Sequence, residues 1–389
     1  MFGFEIGSID LQTNSTLPPE GPNTKGQKMQ KSSLPKETLG SVREILSDKS
    51  FENPTYLGIL YFLRDLVIFS GVMVLLWNTE TWYYLPILWF CSGLLIASLF
   101  IVGHDAAHGA LFKSERLSYW IGQICMLPSL HAYNQWAYGH NRIHHGHTIK
   151  LKGDFVWHPV SPEEYKKFGI FRKAFHKLAW SSLGGGIYYL VEVWLKGMVI
   201  FTAPMKEALR DKLLMLAFAF GSAGAVFYFG GKTGTGFDSQ LGAWFFVKVW
   251  LIPFLAWNYF MGITVYVHHI RPEVPWKGSE EWTPFYGQMR GTVNYHIPVW
   301  MNFFLHNIYI HSPHHVHMKI PFYRLPLALR EIKEHYAPYV VERKSLLKDY
   351  LEATSKCKLM DMATGRWMTY EEALNDEDES EPELDTVTT

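Results

Sequence analysis

Four stretches of this chain are apolar and long enough to cross a lipid bilayer. Residues 56–77 give 22 positions, sufficient for a hydrocarbon core at a rise of about 1.5 Å per residue. Residues 83–102 form an uninterrupted second span, and residues 213–229 and 243–267 form the third and fourth. A short turn (78–82) joins the first pair and a glycine-rich loop (230–242) joins the second. All other long polar sequence lies before the first span, between the second and third, or after the fourth. This pattern predicts an all-α integral membrane protein of four transmembrane helices, with interfacial helices and a helical cap. Residues 184–202 are apolar but broken by Glu192 and Lys196, an i, i+4 pair, and read as a helix lying at the interface.

Three regions follow from the same pattern. Residues 1–50 read as a flexible leader with a helix at 35–47, residues 51–345 as the membrane domain, and residues 346–389 as a C-terminal region ending in a disordered acidic tail. That tail carries nine acids and no base between Glu371 and Asp385. The first span contains Arg64 and Asp65, which are costly in lipid. The sequence reads them as a pair at the interface, or buried against a neighbouring helix. The loop Gly230-Gly-Lys-Thr-Gly-Thr-Gly236 lacks the spacing of a phosphate-binding loop and reads as a turn at the membrane edge.

Charge adds an orientation. The turn at 78–82 has no Lys or Arg, and the loop at 230–242 has only Lys232. Residues 104–212 hold fourteen, and residues 271–366 thirteen. By the positive-inside rule both termini and the long middle region face the cytoplasm. A formal net charge of zero argues against nucleic acid as a partner. Cys91, Cys125 and Cys357 lie far apart, which excludes a disulfide framework and a thiolate zinc site.

The chemistry sits in histidine clusters. His104-Asp-Ala-Ala-His108, His140-Asn-Arg-Ile-His144-His145 and His311-Ser-Pro-His314-His315 hold eight of the chain's eighteen histidines. Residues four apart on a helix share a face, so each cluster is expected to aim its nitrogens at one point. Histidine is the commonest metal ligand near neutral pH, and eight imidazoles exceed what one ion holds. The reading is a dinuclear metal site. All three clusters fall on the same side of the four spans, as a shared site demands. Imidazole suits Zn, Cu, Fe and Ni alike. Asp105, one residue from His104, is expected to point off the shared face and hold a histidine tautomer. Ser312-Pro313 reads as a helix N-cap followed by proline at the first helical position.

These motifs resemble the three histidine boxes of the membrane fatty acyl desaturase superfamily. Val265-Tyr-Val-His-His269-Ile-Arg-Pro272, His306-Asn-Ile-Tyr-Ile-His311-Ser-Pro-His314-His315 and Ile320-Pro-Phe-Tyr-Arg-Leu325 are similar to the acyl-lipid, omega-6-like branch. The resemblance covers roughly residues 55–330. It implies a diiron centre held by His104, His108, His140, His144, His145, His311, His314 and His315. The ninth ligand it implies is His269, with neighbouring His268 as the alternative. His306 and Asn307 are candidates for holding a metal-bound water or a ligand's orientation. The implied reaction takes two hydrogens from adjacent methylenes of an acyl chain, using O2 and two external electrons, and leaves a cis double bond. The chain lacks the His-Pro-Gly-Gly signature of a fused cytochrome b5. A separate donor of ferredoxin or cytochrome b5 type is therefore implied. The acyl chain is expected in a narrow apolar tunnel, for which Trp120, Tyr133, Trp136, Tyr138, Trp157, Trp257 and Tyr259 are candidates, most of them reading as belt or core. In the first box Ala-Ala and the following Gly-Ala replace the Cys-Gly of many acyl-lipid enzymes. The head group stays open, and so do other outcomes on the same scaffold: acetylenase, acyl hydroxylase, or carotenoid ketolase/hydroxylase.

Overall fold

The computed structural model describes residues 37–375. Among the described residues, four helices are long and apolar enough to span a membrane: Thr55–Asn78, Trp82–Ala107, Lys206–Gly230 and Ser239–His269. The second span is the interior one, with 67% of its most apolar window buried, against 11% for the first and third. Leu60, Leu63, Val67, Val74 and Leu75 of the first span are exposed, as are Leu213 and Phe220 of the third. Rows of large apolar side chains on the outer face of so long an apolar helix suit a surface turned to lipid.

The helices outrun the apolar stretches where polar partners wait for them. The second span continues to Ala107, so His104 belongs to the helix itself. Gly109, at φ +65°, ends it, and the Ala110 N–H returns to the Asp105 carbonyl at 2.9 Å, a left-handed cap that satisfies the last turn. The third span begins at Lys206, because its first turns are anchored on neighbours. Asp211, buried there, accepts from the Tyr119 hydroxyl (2.9 Å) and from the Asn134 amide groups (3.0 and 2.7 Å). In the fourth span the turn Phe246–Leu251 is wound wide just before Pro253. Proline lacks an N–H and crowds the carbonyl four residues back, which loosens that turn. Lys248 in this turn donates to the carbonyls of Trp77 (3.0 Å) and Thr79 (3.2 Å), capping the first span.

Two small-residue contacts set the spacing of the core. A methyl group added at Gly93 would lie 2.8 Å from the Ala256 side chain, so the second and fourth spans cross at close range. One added at Gly262 would lie 2.0 Å from the Gly185 carbonyl. That contact seats the helical run Gly185–Tyr188 and Tyr189–Ile200, the segment expected at the interface, against the fourth span.

Short connections make each pair of spans antiparallel. Residues 37–54, 108–205 and 270–375 therefore all emerge at one end. Among the described residues, three two-stranded pairs punctuate this helical architecture. Lys232–Thr233 and Gly236–Phe237 form the antiparallel turn between the third and fourth spans. Val293–Tyr295 pairs in parallel with Val341–Arg343, and Leu359–Met360 pairs antiparallel with Trp367–Met368.

The expected leader to residue 50 is structured from Glu37. The helix Leu39–Glu44 buries Val42, Arg43 donates to the Val316 carbonyl at 2.7 Å, and Ser47 and Ser50 bond Glu331. Beyond residue 345 the helix Leu346–Lys356 and a hairpin pack on the body, with Cys357 buried. The rest of the leader and the acidic tail from residue 376 lie outside the described residues.

Candidate metal centre

The first box occupies the last turn of the second span, where His104 and His108 stand one turn apart with ring centroids 4.5 Å apart. The second box follows a different geometry from the one expected. Residues Tyr138–His144 are wound as a π-helix, a wider turn in which residues five apart come together. The Nε2 atoms of His140 and His145 stand 3.1 Å apart as a result. His144 is turned away from both, toward the end of the fourth span.

The third box lies on the short helix His311–Val316. Ser312 does not cap it, contrary to expectation. Asn294, on the strand Val293–Tyr295, accepts from the N–H groups of His311 (2.8 Å) and Ser312 (3.0 Å). The Ser312 hydroxyl accepts instead from Thr292 and Asn294, each at 2.8 Å. His311 is thereby the first residue of the helix.

The boxes are divided and then recombined. His104, His108, His140 and His314 form one group whose ligand atoms lie within 4.8 Å of one another, and His144, His269 and His315 form another. His145 joins His314 and His315 in a third group that links the two. His311 Nε2 stands 2.9 Å from that of His315 and 3.2 Å from that of His269. The expectation that each box serves one point is therefore corrected: the second and third boxes contribute to both groups. His269 faces the cluster, while His268 stacks on His311 with centroids 3.8 Å apart and stays outside the groups.

Orientation of the rings comes from their outward nitrogens. His104 Nδ1 bonds Asp105 at 2.8 Å, and His144 Nδ1 bonds Asp154 at 3.0 Å. His269 Nδ1 bonds the Gly291 carbonyl at 2.9 Å, and His315 Nδ1 bonds Gln288 Oε1 at 2.7 Å. An acceptor on Nδ1 places the proton there and leaves the Nε2 lone pair facing inward. Asp154 is itself held by the N–H groups of Ile149 and Val156, both at 3.1 Å. Ile149, Lys152 and Trp157 all have positive φ, so this loop is bent into an unfavourable backbone shape around the carboxylate.

The residues fit metal ions. Two nitrogens each about 2.1 Å from one ion, at a right angle, stand about 3.0 Å apart, and the facing Nε2 pairs measure 2.9–3.2 Å. Both ring nitrogens of His108 are buried without a hydrogen-bond partner. A buried polar atom left unpaired costs about 1–3 kcal/mol, so an inward ligand is called for. Burial, and then repulsion from neighbouring imidazoles, pushes His108, His140, His145, His311, His314 and His315 well below the usual histidine range. These six rings are held in the neutral form, the state that binds metal. No carboxylate belongs to the groups, since Asp105 and Asp154 stand behind histidine rings.

His306 and Asn307 bond elsewhere. His306 contacts Asp65, Ser98 and Arg64, and Asn307 bonds Asn302 and the Phe322 carbonyl. Of the candidate tunnel aromatics, Trp136 stacks on His140 at 4.3 Å, and Trp157 and Trp257 are fully buried. Trp120 and Tyr259 are exposed. Asp154, Gln288 and Asn294 escaped the reading of the sequence. Lys-Gly-Asp154 looks like an ordinary polar turn, and neither of the others lies at a helical spacing from a histidine.

The fatty acid desaturase family model matches residues 80–346. The sn-1 oleoyl-lipid 12-desaturase of Anabaena variabilis is 30% identical over 291 residues, covering 73% of this chain and 79% of that one. The sn-1 oleoyl-lipid 12-desaturase of Synechocystis is 28% identical over 285 residues, 73% of this chain and 78% of the relative. The chloroplastic omega-6 fatty acid desaturase of Arabidopsis thaliana is 32% identical over 266 residues, which is 66% of this chain and 55% of that protein.

Proposed function

The chain belongs to the fatty acid desaturase family, on its omega-6-like side, as an integral membrane oxidoreductase, and from that premise we propose that its histidine cluster holds two iron ions. One ion falls to His104, His108, His140 and His314, and the other to His144, His269, His311 and His315, with His145 between them. When bound, the iron pair supplies oxygen-dependent removal of two hydrogens from adjacent methylenes, drawing two electrons from a separate carrier of ferredoxin or cytochrome b5 type. The substrate class is an oleoyl chain on a membrane lipid, by likeness to the relatives named above. The product is the same chain with a second cis double bond.

The residues of this chain contribute positioning and exclusion of water. Asp105, Asp154, Gln288 and the Gly291 carbonyl keep the inward nitrogens unprotonated. Trp136, stacked on His140, and buried Trp257 and Phe100 pack an apolar wall beside the first group. Such a wall favours an acyl chain over water, and holding one carbon at the metal rather than its neighbour is the protein's main part in this chemistry.

The charge asymmetry supports a cytoplasmic location for the centre and both termini. The domain scheme that fits is a membrane domain reaching to about residue 345, with the C-terminal region packed on its cytoplasmic cap. The observation that carries this function is the convergence of nine imidazoles from four separate segments. Expression in a host of defined lipid composition, with mass spectrometry of the acyl chains, tests it. A new diunsaturated chain that is lost in His144→Ala supports desaturation. Oxygenated carotenoid with unchanged acyl chains overturns it.

A further inference from the structure

Asp65 lies in the middle of the first span and is fully buried. Arg64 forks onto one carboxylate oxygen (2.8 and 2.7 Å), and His306 Nε2 meets the other at 2.7 Å, with Ser98 3.0 Å from the same nitrogen. A buried ion pair is weak evidence of stability, since apolar residues of similar volume often serve as well. In a membrane span such a group marks function. The backbone beside it is unfavourable too. His306 and Asn307 both adopt left-handed angles (φ +46° and +57°), each disfavoured by about 1 kcal/mol or more. Asn302 locks them by bonding the Asn307 side chain (2.6 Å) and N–H (2.9 Å).

What this arrangement holds is Phe322. The His306 ring stacks on the Phe322 ring at 4.6 Å, and Tyr61 packs edge-on against both. Asn307 Nδ2 donates to the Phe322 carbonyl at 3.2 Å. The Phe322 N–H in turn donates to Asp105 Oδ2 at 2.7 Å, and Asp105 Oδ1 holds His104 Nδ1 at 2.8 Å. An unbroken line of contacts thus runs from the first span to a histidine of the first box. Asp154, behind His144, has only local supports.

We propose that Asp65 and His306 are positioning residues that fix the orientation of His104 through Phe322 and Asp105, and so set metal binding at one of the two positions. This rests on the two-ion reading of the cluster. Their loss acts selectively on the group containing His104.

Cobalt(II) titration of metal-depleted purified protein, followed by its visible spectrum, reads the two positions without turnover. Wild type takes up two cobalt ions per chain. Asp65→Asn weakens one of the two binding phases by about 10- to 100-fold, the usual effect of removing a ligand's support, and leaves the other within about twofold. Asp105→Asn does the same, and the double variant is no weaker than Asp105→Asn alone, as residues on one line require. Asn307→Gly keeps the left-handed backbone while cutting the bond to Phe322, and it repeats the selective loss if Asp65→Asn fails to fold. Equal weakening of both phases, no weakening, or an undiminished Asp65→Asn effect in the Asp105→Asn background overturns the proposal. Fewer than two cobalt ions in wild type overturns the two-ion reading and this proposal with it. Failure in the variants alone overturns only the proposal.

Discussion

His144 and Asp154 are ten residues apart in the chain, and their side chains meet at 3.0 Å in the interior. The carboxylate fixes the imidazole with its Nε2 turned toward His269 and His315. Asp154→Asn keeps the size and an acceptor oxygen but removes the carboxylate charge that faces the ring. Iron content measured after equilibration at limiting iron is expected to fall, with affinity reduced about 10- to 100-fold, while the melting temperature changes little.

The end of the fourth span separates two neighbours by role. His269→Ala removes a nitrogen from the group with His144 and His315, so iron per chain is expected to drop and product formation to cease. His268→Ala removes a ring stacked on His311 and is expected to retain most of its iron with reduced turnover. Metal analysis of the two purified variants, side by side, checks the order.

Asn294 caps the helix carrying the third box. Asn294→Ala strips two N–H groups of their acceptor, and loss of such a cap costs about 1 kcal/mol or more. A lower melting temperature together with reduced iron content is the expected result. Asn294→Asp restores the acceptor but loses the Nδ2 donation to the Ser312 hydroxyl and the Val341 carbonyl, and is expected to recover only part of both.

Gly262 has no room for a side chain. An added methyl meets the Gly185 carbonyl at 2.0 Å, and backbone there cannot swing aside as a flexible side chain does. Gly262→Leu is expected to give little folded protein by size-exclusion chromatography in detergent, whereas Gly71→Ala, which meets nothing within 4 Å, behaves as wild type.

His176 gives the C-terminal region a pH dependence. It bonds the Tyr370 hydroxyl at 2.8 Å, and burial, followed by repulsion from Lys358 and Arg172, lowers its pKa to about 4. A depressed pKa means the unfolded chain takes up the proton first. The contribution is therefore complete above about pH 6.5, falls as the pH drops toward 4, and amounts to roughly 3 kcal/mol. Melting temperatures measured from pH 7 to 4.5 are expected to decline less steeply in His176→Gln than in wild type.

Some of this organisation is legible in the sequence because it is local. The four apolar runs mark the spans, and the histidine spacings mark the boxes. Asp105 is legible for the same reason, being adjacent to the ring it holds. The sharing of the second box between two groups is not legible, since it depends on the wide turn at Tyr138–His144. No spacing rule anticipates that residues five apart will face each other there. Asn294 and Gln288 reach the third box only through tertiary packing, which displaced Ser312 from the capping role its local sequence suggested. The pair Arg64–Asp65 acquires meaning only from His306, 241 positions away in the chain.

Diffraction from crystals of the iron-loaded protein, recorded at the iron absorption edge, tests the central claim most directly. Two anomalous peaks are expected, one among His104, His108, His140 and His314 and one among His144, His269 and His315. A single peak, or none within reach of these nitrogens, would contradict the account.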